Sequence, residues 1–202
     1  MIGSARSAEQ EKTHSRNNNQ KVTPGKPSEK KTSEEIIKML SKKIENAINK
    51  QINAELWSAY LYLSMSAYFE SINLGGFANW MRAQAQEEVN HAMKFYHHVI
   101  ERRGRITVSA IIAPPVNWKS PLNAFEDAFK HEQKVTAMIN DIANMAAAEK
   151  DHATTNMLQW FIDEQVEEES STDAIVQKLK MIGTNTGGLY MLDRELSQRK
   201  VK

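Results

Sequence analysis

Carboxylate side chains occupy the middle of four otherwise mainly apolar stripes in this sequence, at Glu55, Glu88, Glu132 and Glu168. Each stripe recurs at steps of three and four residues, which place its members on one face of a helix. Burying an unpaired carboxylate costs on the order of several kcal/mol, so four of them in one core require a shared counter-charge. Carboxylate oxygens combined with an imidazole nitrogen suit iron, and the pattern therefore predicts an iron site.

The spacing of these polar residues repeats between the two halves of the chain. Each half holds a carboxylate, then after 33 residues a second carboxylate or an amide, and three residues later a third polar side chain. The triplets are Glu55, Glu88 and His91, and then Glu132, Gln165 and Glu168. A lone Glu-x-x-His motif on a helix indicates nothing, but this repeated pattern matches the ligand arrangement of di-iron carboxylate bundles. It predicts a di-iron site between four helices.

Four long segments with helical periodicity, and one short one, would position these residues. Glycine and proline separate the segments, and a Ser120-Pro121 pair is typical of a helix start. We predict helices over residues 36–67, 75–103, 121–149, 152–182 and 188–199. The connection of residues 104–120 is too long for a tight turn and predicts a crossover between parallel helices. The predicted fold class is all-α, a four-helix bundle with one long crossover and a short C-terminal fifth helix.

The first 35 residues differ in composition from the rest of the chain. They contain no aromatic residue and only five apolar ones, beside seven Lys/Arg and five Asp/Glu. Such a segment cannot bury enough surface to fold, so we predict a disordered extension over residues 1–35 and one folded domain over 36–202. A further hypothesis is that translation begins at Met39, which the intact mass of the natively expressed protein would test.

Bulk composition excludes several classes of function. The chain has no cysteine, which rules out disulfides, thiolate metal sites and cysteine nucleophiles, and its net charge of +1 favours neither nucleic acid nor an anionic membrane. The most apolar stretch, residues 56–69, is shorter than the roughly 20 residues that a spanning helix needs. No secretory signal is apparent, so we expect a cytoplasmic protein without membrane or specific nucleic-acid partners.

Around the predicted ligands the sequence closely resembles the bacterial non-haem ferritins, from about Met39 to the C-terminus. The shared motifs are Asn-Ala-Glu-Leu at 53–56, Gln-Glu-Glu-Val-Asn-His at 86–91, Lys-His-Glu-Gln at 130–133, Trp-Phe-Ile-Asp-Glu-Gln-Val-Glu-Glu-Glu at 160–169 and Gly-Gly-Leu-Tyr at 187–190. The resemblance implies the ferritin-like form of the four-helix bundle. It also implies that Glu55, Glu88 and His91 bind a first iron, with Glu88 bridging, and that Glu132 binds a second iron with Gln165 close by.

Further roles follow from the same resemblance. Tyr62 matches a tyrosine beside the di-iron centre, and Trp160 is a less certain participant in electron supply. A third iron site of bacterial members is implied at Glu87, Glu164, Glu167 and Glu168. A haem-containing relative would repeat Glu-x-x-His in its second half, whereas this chain has Gln165, so no haem is expected.

The function implied by the resemblance is iron storage. Fe(II) would be oxidised by O2 or H2O2 at the di-iron ferroxidase centre and deposited as a ferric mineral inside a hollow, 24-subunit homo-oligomeric shell. The fifth helix, with Leu189, Leu192 and Leu196 at helical spacing, would lie at the fourfold axis of that shell. Because an amide at position 165 lowers the negative charge of the site, we expect it to release the Fe(III) product.

Three other interpretations compete with iron storage. A rubrerythrin-like di-iron peroxidase or oxidase would usually carry a Cys-rich segment, and this chain has no cysteine. A DNA-protecting mini-ferritin would place its iron between subunits, whereas the ligands predicted here lie within one bundle. A purely structural bundle would lack the complete ligand set. The remaining histidines His97, His98 and His131 are expected to be surface or interface residues without a role in the site.

Overall fold

The computed structural model describes Met39–Val201, which form five α-helices without any strand among these residues. The helices are α1 (Lys42–Ser71), α2 (Gly75–Glu101), α3 (Pro121–Ala148), α4 (His152–Ile182) and α5 (Thr186–Leu196). The all-α prediction with a short fifth helix is confirmed. The predicted extension of residues 1–35 lies outside the described residues, and the domain boundaries stay predictions. No helix within 39–201 combines the length and apolar character that crossing a bilayer requires.

Polar side chains cap the first turn of every helix in the described part of the chain except α2. The hydroxyl of Ser41 accepts a hydrogen bond from the amide of Ile44 (3.2 Å), so α1 starts at Lys42 and residues 39–41 precede it, contrary to the predicted start at 36. Ser120 caps α3 in the same way through Asn123 (3.2 Å). Helix α4 has the predicted bounds, whereas α1 continues to Ser71 and α5 lies two to three residues earlier than predicted.

The connection between α2 and α3 runs along α1. Near its start the amide of Arg105 donates to Glu45 (3.1 Å), and near its end the carbonyl of Pro115 accepts from Ser64 (2.5 Å). These two residues of α1 lie about five turns apart, roughly 28 Å. Because α2 follows α1 through a short turn and runs antiparallel to it, the connection returns to the start of α2, and α3 runs parallel to α2. The predicted crossover is confirmed.

Two hydrophobic clusters fill the bundle, one on each side of a polar layer. One cluster centres on Phe69, Phe77 and Phe125, whose ring centroids lie 5.1–5.9 Å apart. The other includes Phe95 stacked on Phe161 at 3.9 Å. Along each long helix one cluster ends before the predicted ligands and the other begins after them. The apolar core is therefore interrupted at the level of the predicted iron site.

Helix α5 packs against the first turn of α2. Oδ1 of Asp193 accepts hydrogen bonds from the amides of Gly76 (2.7 Å) and Phe77 (3.1 Å), which lack partners within α2. Leu192 and Leu196 are buried in the adjoining hydrophobic cluster. Gly76 permits this close approach, since a Cβ there would lie 1.7 Å from the carbonyl oxygen of Asp193.

Candidate metal centre

Each long helix contributes buried polar side chains to the layer between the two hydrophobic clusters. These side chains are at most 5 % exposed: Glu55, Tyr62, Glu88, His91, Glu132, Gln165 and Glu168. They come from α1, α2, α3 and α4, and the stripes predicted from the sequence do face one another. The structure thus brings together the six predicted residues of the di-iron centre and one of the four predicted for the third site.

The first group of ligand atoms belongs to Glu55, Glu88 and His91, which each offer an atom within 4.8 Å of the other two. Nδ1 of His91 lies 3.5 Å from Oε2 of Glu88. Oε1 of Glu55 accepts a hydrogen bond from Gln51 (2.9 Å), whereas its Oε2 is buried and has no hydrogen-bond partner within the described part of the chain. A buried anionic oxygen without a donor is the arrangement that a metal ion would satisfy.

Glu132 on α3 faces this group from the other half of the bundle. Its Oε1 accepts from the hydroxyl of Tyr62, and Nε2 of Gln165 lies 3.3 Å from both its Oε2 and its main-chain carbonyl. The same Nε2 is 3.2 Å from Oγ1 of Thr136. Gln165 therefore acts here as a donor that holds Glu132 in place.

Burial and mutual repulsion raise the pKa of every carboxyl group in the centre. Desolvation is the main cause for Glu55 and Glu88, and the neighbouring carboxylates Glu88 and Glu132 respectively add to it, so both pKa values lie well above the usual range. Burial likewise raises the pKa of Glu132 to about 7. A site in which several carboxyl groups resist ionisation beside one another lacks positive charge, and a bound cation would supply it.

The predicted third site is only partly assembled. His91, Glu164 and Glu168 have ligand atoms within 4.8 Å of one another, and Oε1 of Glu168 is buried without a hydrogen-bond partner within 39–201. Burial raises the pKa of Glu168 to about 7. Glu87 is buried but forms an ion pair with Arg199, and Glu167 is exposed on α4; neither joins the group at that spacing.

Two buried glutamines of the centre were not predicted as site residues. Gln51 donates to Glu55, and Gln84 donates to Oε2 of Glu168 (2.6 Å) and lies 3.4 Å from Oε1 of Glu88. Gln84 thereby links the first group to the third site. The available signal was position, because both lie one helical turn before a predicted ligand on the same face.

Trp160 connects the centre to the protein surface. Its ring centroid lies 5.4 Å from that of His91, and Nζ of Lys94 lies 3.7 Å from the centroid of the same indole. The side chain is 38 % exposed. Trp160 therefore lies between the buried imidazole of His91 and solvent, and its part in electron supply stays a prediction.

The three histidines expected to lie outside the site differ in environment. His97 is exposed, but His98 is buried 3.0 Å from Oγ1 of Thr154, which contradicts its expected surface position. Nε2 of His131 lies 2.7 Å from the hydroxyl of Ser58. Burial, with a smaller effect from Lys134, lowers the pKa of His131 to about 4, so this imidazole is neutral at physiological pH.

Comparison with known proteins identifies the family. The ferritin-like domain of the ferritin family matches residues 45–182, which include all the predicted ligands. The chain belongs to the ferritin family. It is 46% identical over 161 residues to a bacterial non-heme ferritin of Bacteroides fragilis, covering 80% of this chain and 100% of the relative. It is 38% identical to a bacterial non-heme ferritin of Staphylococcus aureus, covering 80% of this chain and 97% of that protein.

Solved structures of ferritins share the fold. The open pore ferritin of the archaeon Archaeoglobus fulgidus is 54% identical and superposes with a TM-score of 0.79, covering 80% of this chain and 99% of the other. An engineered closed form of that ferritin is 53% identical, again with a TM-score of 0.79, and covers 81% of this chain and 99% of the other. The ferritin-like arrangement of the bundle is thereby confirmed.

Proposed function

We propose that this ferritin stores iron by oxidising Fe(II), its substrate, at the buried centre between the four long helices. O2 or H2O2 would accept the electrons, and the Fe(III) product would enter a mineral inside a hollow, cytoplasmic 24-subunit shell. The observation that carries the proposal is the buried Oε2 of Glu55, which has no hydrogen-bond partner among residues 39–201 and lies beside the ligand atoms of Glu88 and His91. A metal ion shared by these side chains would satisfy that oxygen.

The protein residues would divide the work between binding and positioning. Glu55 and His91 would bind one Fe(II), Glu132 the other, and Glu88 both. Tyr62 and Gln165 hold Glu132 through hydrogen bonds, which would position this carboxylate before a metal ion arrives. Oxidation transfers one electron from each Fe(II) to the oxidant, and the carboxylates stabilise the higher charge of the product.

Stopped-flow oxidation tests the site. Metal-free protein is loaded anaerobically with Fe(II), mixed with air-saturated buffer and followed by the absorbance of the ferric product. Glu88→Ala and His91→Ala should abolish the fast oxygen-dependent phase, while His97→Ala, which removes an exposed histidine from the same helix, should leave it intact. Unchanged kinetics in both site variants would refute the assignment.

The fate of the product distinguishes storage from a rubrerythrin-like peroxidase or oxidase. A storage protein should accumulate an amber ferric core that sediments with the protein, and electron microscopy should show hollow particles. A peroxidase would consume H2O2 repeatedly while retaining only the iron of its centre. Particles without a core after repeated Fe(II) additions would favour the second function.

A further inference from the structure

Beyond α5 the chain turns back along the side of α2. Nδ2 of Asn79 lies 3.4, 3.3 and 3.0 Å from the carbonyl oxygens of Leu196, Ser197 and Arg199. These contacts hold residues 197–200, which we call the C-terminal clasp, against the second turn of α2. The clasp lies beyond the segment that the ferritin-like domain matches, residues 45–182.

The clasp directs the side chain of Arg199 onto a buried carboxylate. Nη2 of Arg199 lies 2.5 Å from Oε2 of Glu87, and the guanidinium carbon lies 4.1 Å from the ring centroid of Trp80. The side chains of Arg199 and Glu87 are only 16% and 3% exposed, so water screens this ion pair weakly. Arg199 is therefore a strong counter-charge for Glu87.

Glu87 also forms part of the wall of a cavity of about 250 Å³ that is shared with His91, Trp160 and Glu164. His91 and Glu164 belong to the group whose ligand atoms, with those of Glu168, lie within 4.8 Å of one another. Oε1 of Glu168 is buried without a hydrogen-bond partner in the described chain. His91 and Glu164 thus face the cavity as two members of a three-residue ligand group, Lys94 brings a positive charge to its wall, and the remaining carboxylate of that wall, Glu87, is paired with Arg199.

We propose that Arg199 is a tethered counter-ion of this cavity, which neutralises Glu87 while the cavity is empty and yields it to an arriving metal ion. Arg199 is a positioning residue in this role, and the inference rests on the proposed iron-storage function together with the third iron site that the resemblance implies. A divalent ion would coordinate several carboxylates together, whereas one guanidinium nitrogen pairs with one carboxylate oxygen of Glu87. The ion therefore displaces the arginine when it is sufficiently concentrated.

The ion pair leaves one donor of Arg199 unsatisfied, which favours replacement of the arginine by a metal ion at Glu87. Its second terminal nitrogen, Nη1, is buried and has no hydrogen-bond partner among residues 39–201. An unsatisfied donor raises the free energy of the paired state, and release into water near the chain end relieves it. The arginine should consequently weaken binding of the third ion and keep that ion exchangeable.

Zn(II) titration of the metal-free assembled protein tests the proposal, because Zn(II) binds the same ligands without being oxidised. Calorimetry is carried out on the wild type, on Arg199→Met, which keeps an unbranched side chain over Trp80, and on Lys200→Met, which removes the same charge from the exposed neighbour. The titration should separate the sites by affinity, with the third site as the weakest class. In Arg199→Met this class should bind Zn(II) about tenfold more tightly than in the wild type. The tighter classes should not change, and Lys200→Met should match the wild type.

A purely structural arginine predicts the opposite result, since its loss would misplace Glu87 and weaken the same class. Unchanged or weaker binding in Arg199→Met, or equal tightening in Lys200→Met, would overturn the proposal. Adding Glu87→Gln to Arg199→Met should remove the gain, which attributes it to that carboxylate. Failure of the proposed ferroxidase centre would be recognised separately, as absence of the tight class in every protein, including the wild type.

Discussion

The hydroxyl of Tyr62 on α1 donates a hydrogen bond to Oε1 of Glu132 on α3, across the interior of the bundle. Burial, together with the negative charge of Glu132, raises the pKa of Tyr62 well above its usual value, so the phenol stays protonated and remains the donor. Nε2 of Gln165 approaches Oε2 of the same carboxylate at 3.3 Å. Glu132 is thus held at both oxygens before any metal binds.

Replacing Tyr62 by phenylalanine should separate positioning from binding. Tyr62→Phe leaves Oε1 of a buried carboxyl group without this donor, so the metal-free protein should lose about 1–3 kcal/mol of stability. Fe(II) oxidation should slow severalfold because Glu132 is less well fixed, while the number of Zn(II) ions bound stays the same. Tyr60→Phe, at a tyrosine that is 52% exposed on the same helix, is the control and should change none of these quantities. Equal rates in the two variants would exclude a positioning role for Tyr62.

The stability of the metal-free protein should fall as pH rises from 6.5 to 8, a range above the one in which the lowered pKa of His131 makes stability rise with pH. Burial raises the pKa of Glu132 and of Glu168 from 4.5 to about 7, so between these values the folded state binds more protons than the unfolded state. Their stabilising contribution is therefore complete below pH 4.5 and is lost as pH passes 7, a change on the order of a few kcal/mol. Thermal denaturation across this range measures the loss.

Two variants and one metal assign that pH dependence to the centre. Glu132→Gln should reduce the slope of the curve, because Glu168 still contributes, whereas Asp127→Asn, at an exposed carboxylate of α3, should leave the slope unchanged. Saturating Zn(II) should reverse the trend, because the ion binds the deprotonated carboxylates and its affinity rises with pH. A metal-free protein that gains stability up to pH 8 would contradict the pKa shifts of the centre.

The sequence predicted which polar side chains meet inside the bundle because carboxylates among them interrupt a periodic apolar pattern, which is a local property of one helix. The start of α4 at residue 152 also depends on local features, since Asp151 caps the helix from the adjacent position. Arg199 could not be predicted, because its approach to Glu87 depends on the docking of α5 against α2. Gln84 lies one helical turn before Glu88, yet its hydrogen bond reaches Glu168 of another helix. The periodicity of one helix does not predict which distant segments of the chain its side chains contact.

Adding a negative charge at position 165 should make the centre retain the Fe(III) that we expect the wild type to release. Gln165→Glu places a second carboxylate beside Glu132, and the added negative charge should favour retention of Fe(III) over its release. We expect more iron per subunit to remain after extended dialysis, with slower regeneration of the fast oxidation phase in repeated additions. Gln159→Glu, which adds the same charge on the exposed side of α4, is the control. Retention in the wild type equal to that in Gln165→Glu would contradict the role assigned to the amide.

Two adjacent glycines at the start of α2 test the docking of α5. An alanine Cβ at Gly76 would lie 1.7 Å from the carbonyl oxygen of Asp193, whereas a Cβ at Gly75 would meet no atom of residues 39–201 within 4 Å beyond its chain neighbours and its own helix backbone. Gly76→Ala must displace α5 and should cost about 1–3 kcal/mol, while Gly75→Ala should be neutral or slightly stabilising. Thermal denaturation and sedimentation velocity of both variants measure the effects on stability and on assembly.

The same pair of variants links α5 to the third site. Displacing α5 in Gly76→Ala moves the C-terminal clasp, and with it Arg199, away from Glu87. The weakest class of Zn(II) sites should therefore tighten in Gly76→Ala as it does in Arg199→Met, but not in Gly75→Ala. If Gly76→Ala lowers the stability without tightening that class, the clasp keeps Arg199 paired with Glu87 independently of the docking of α5.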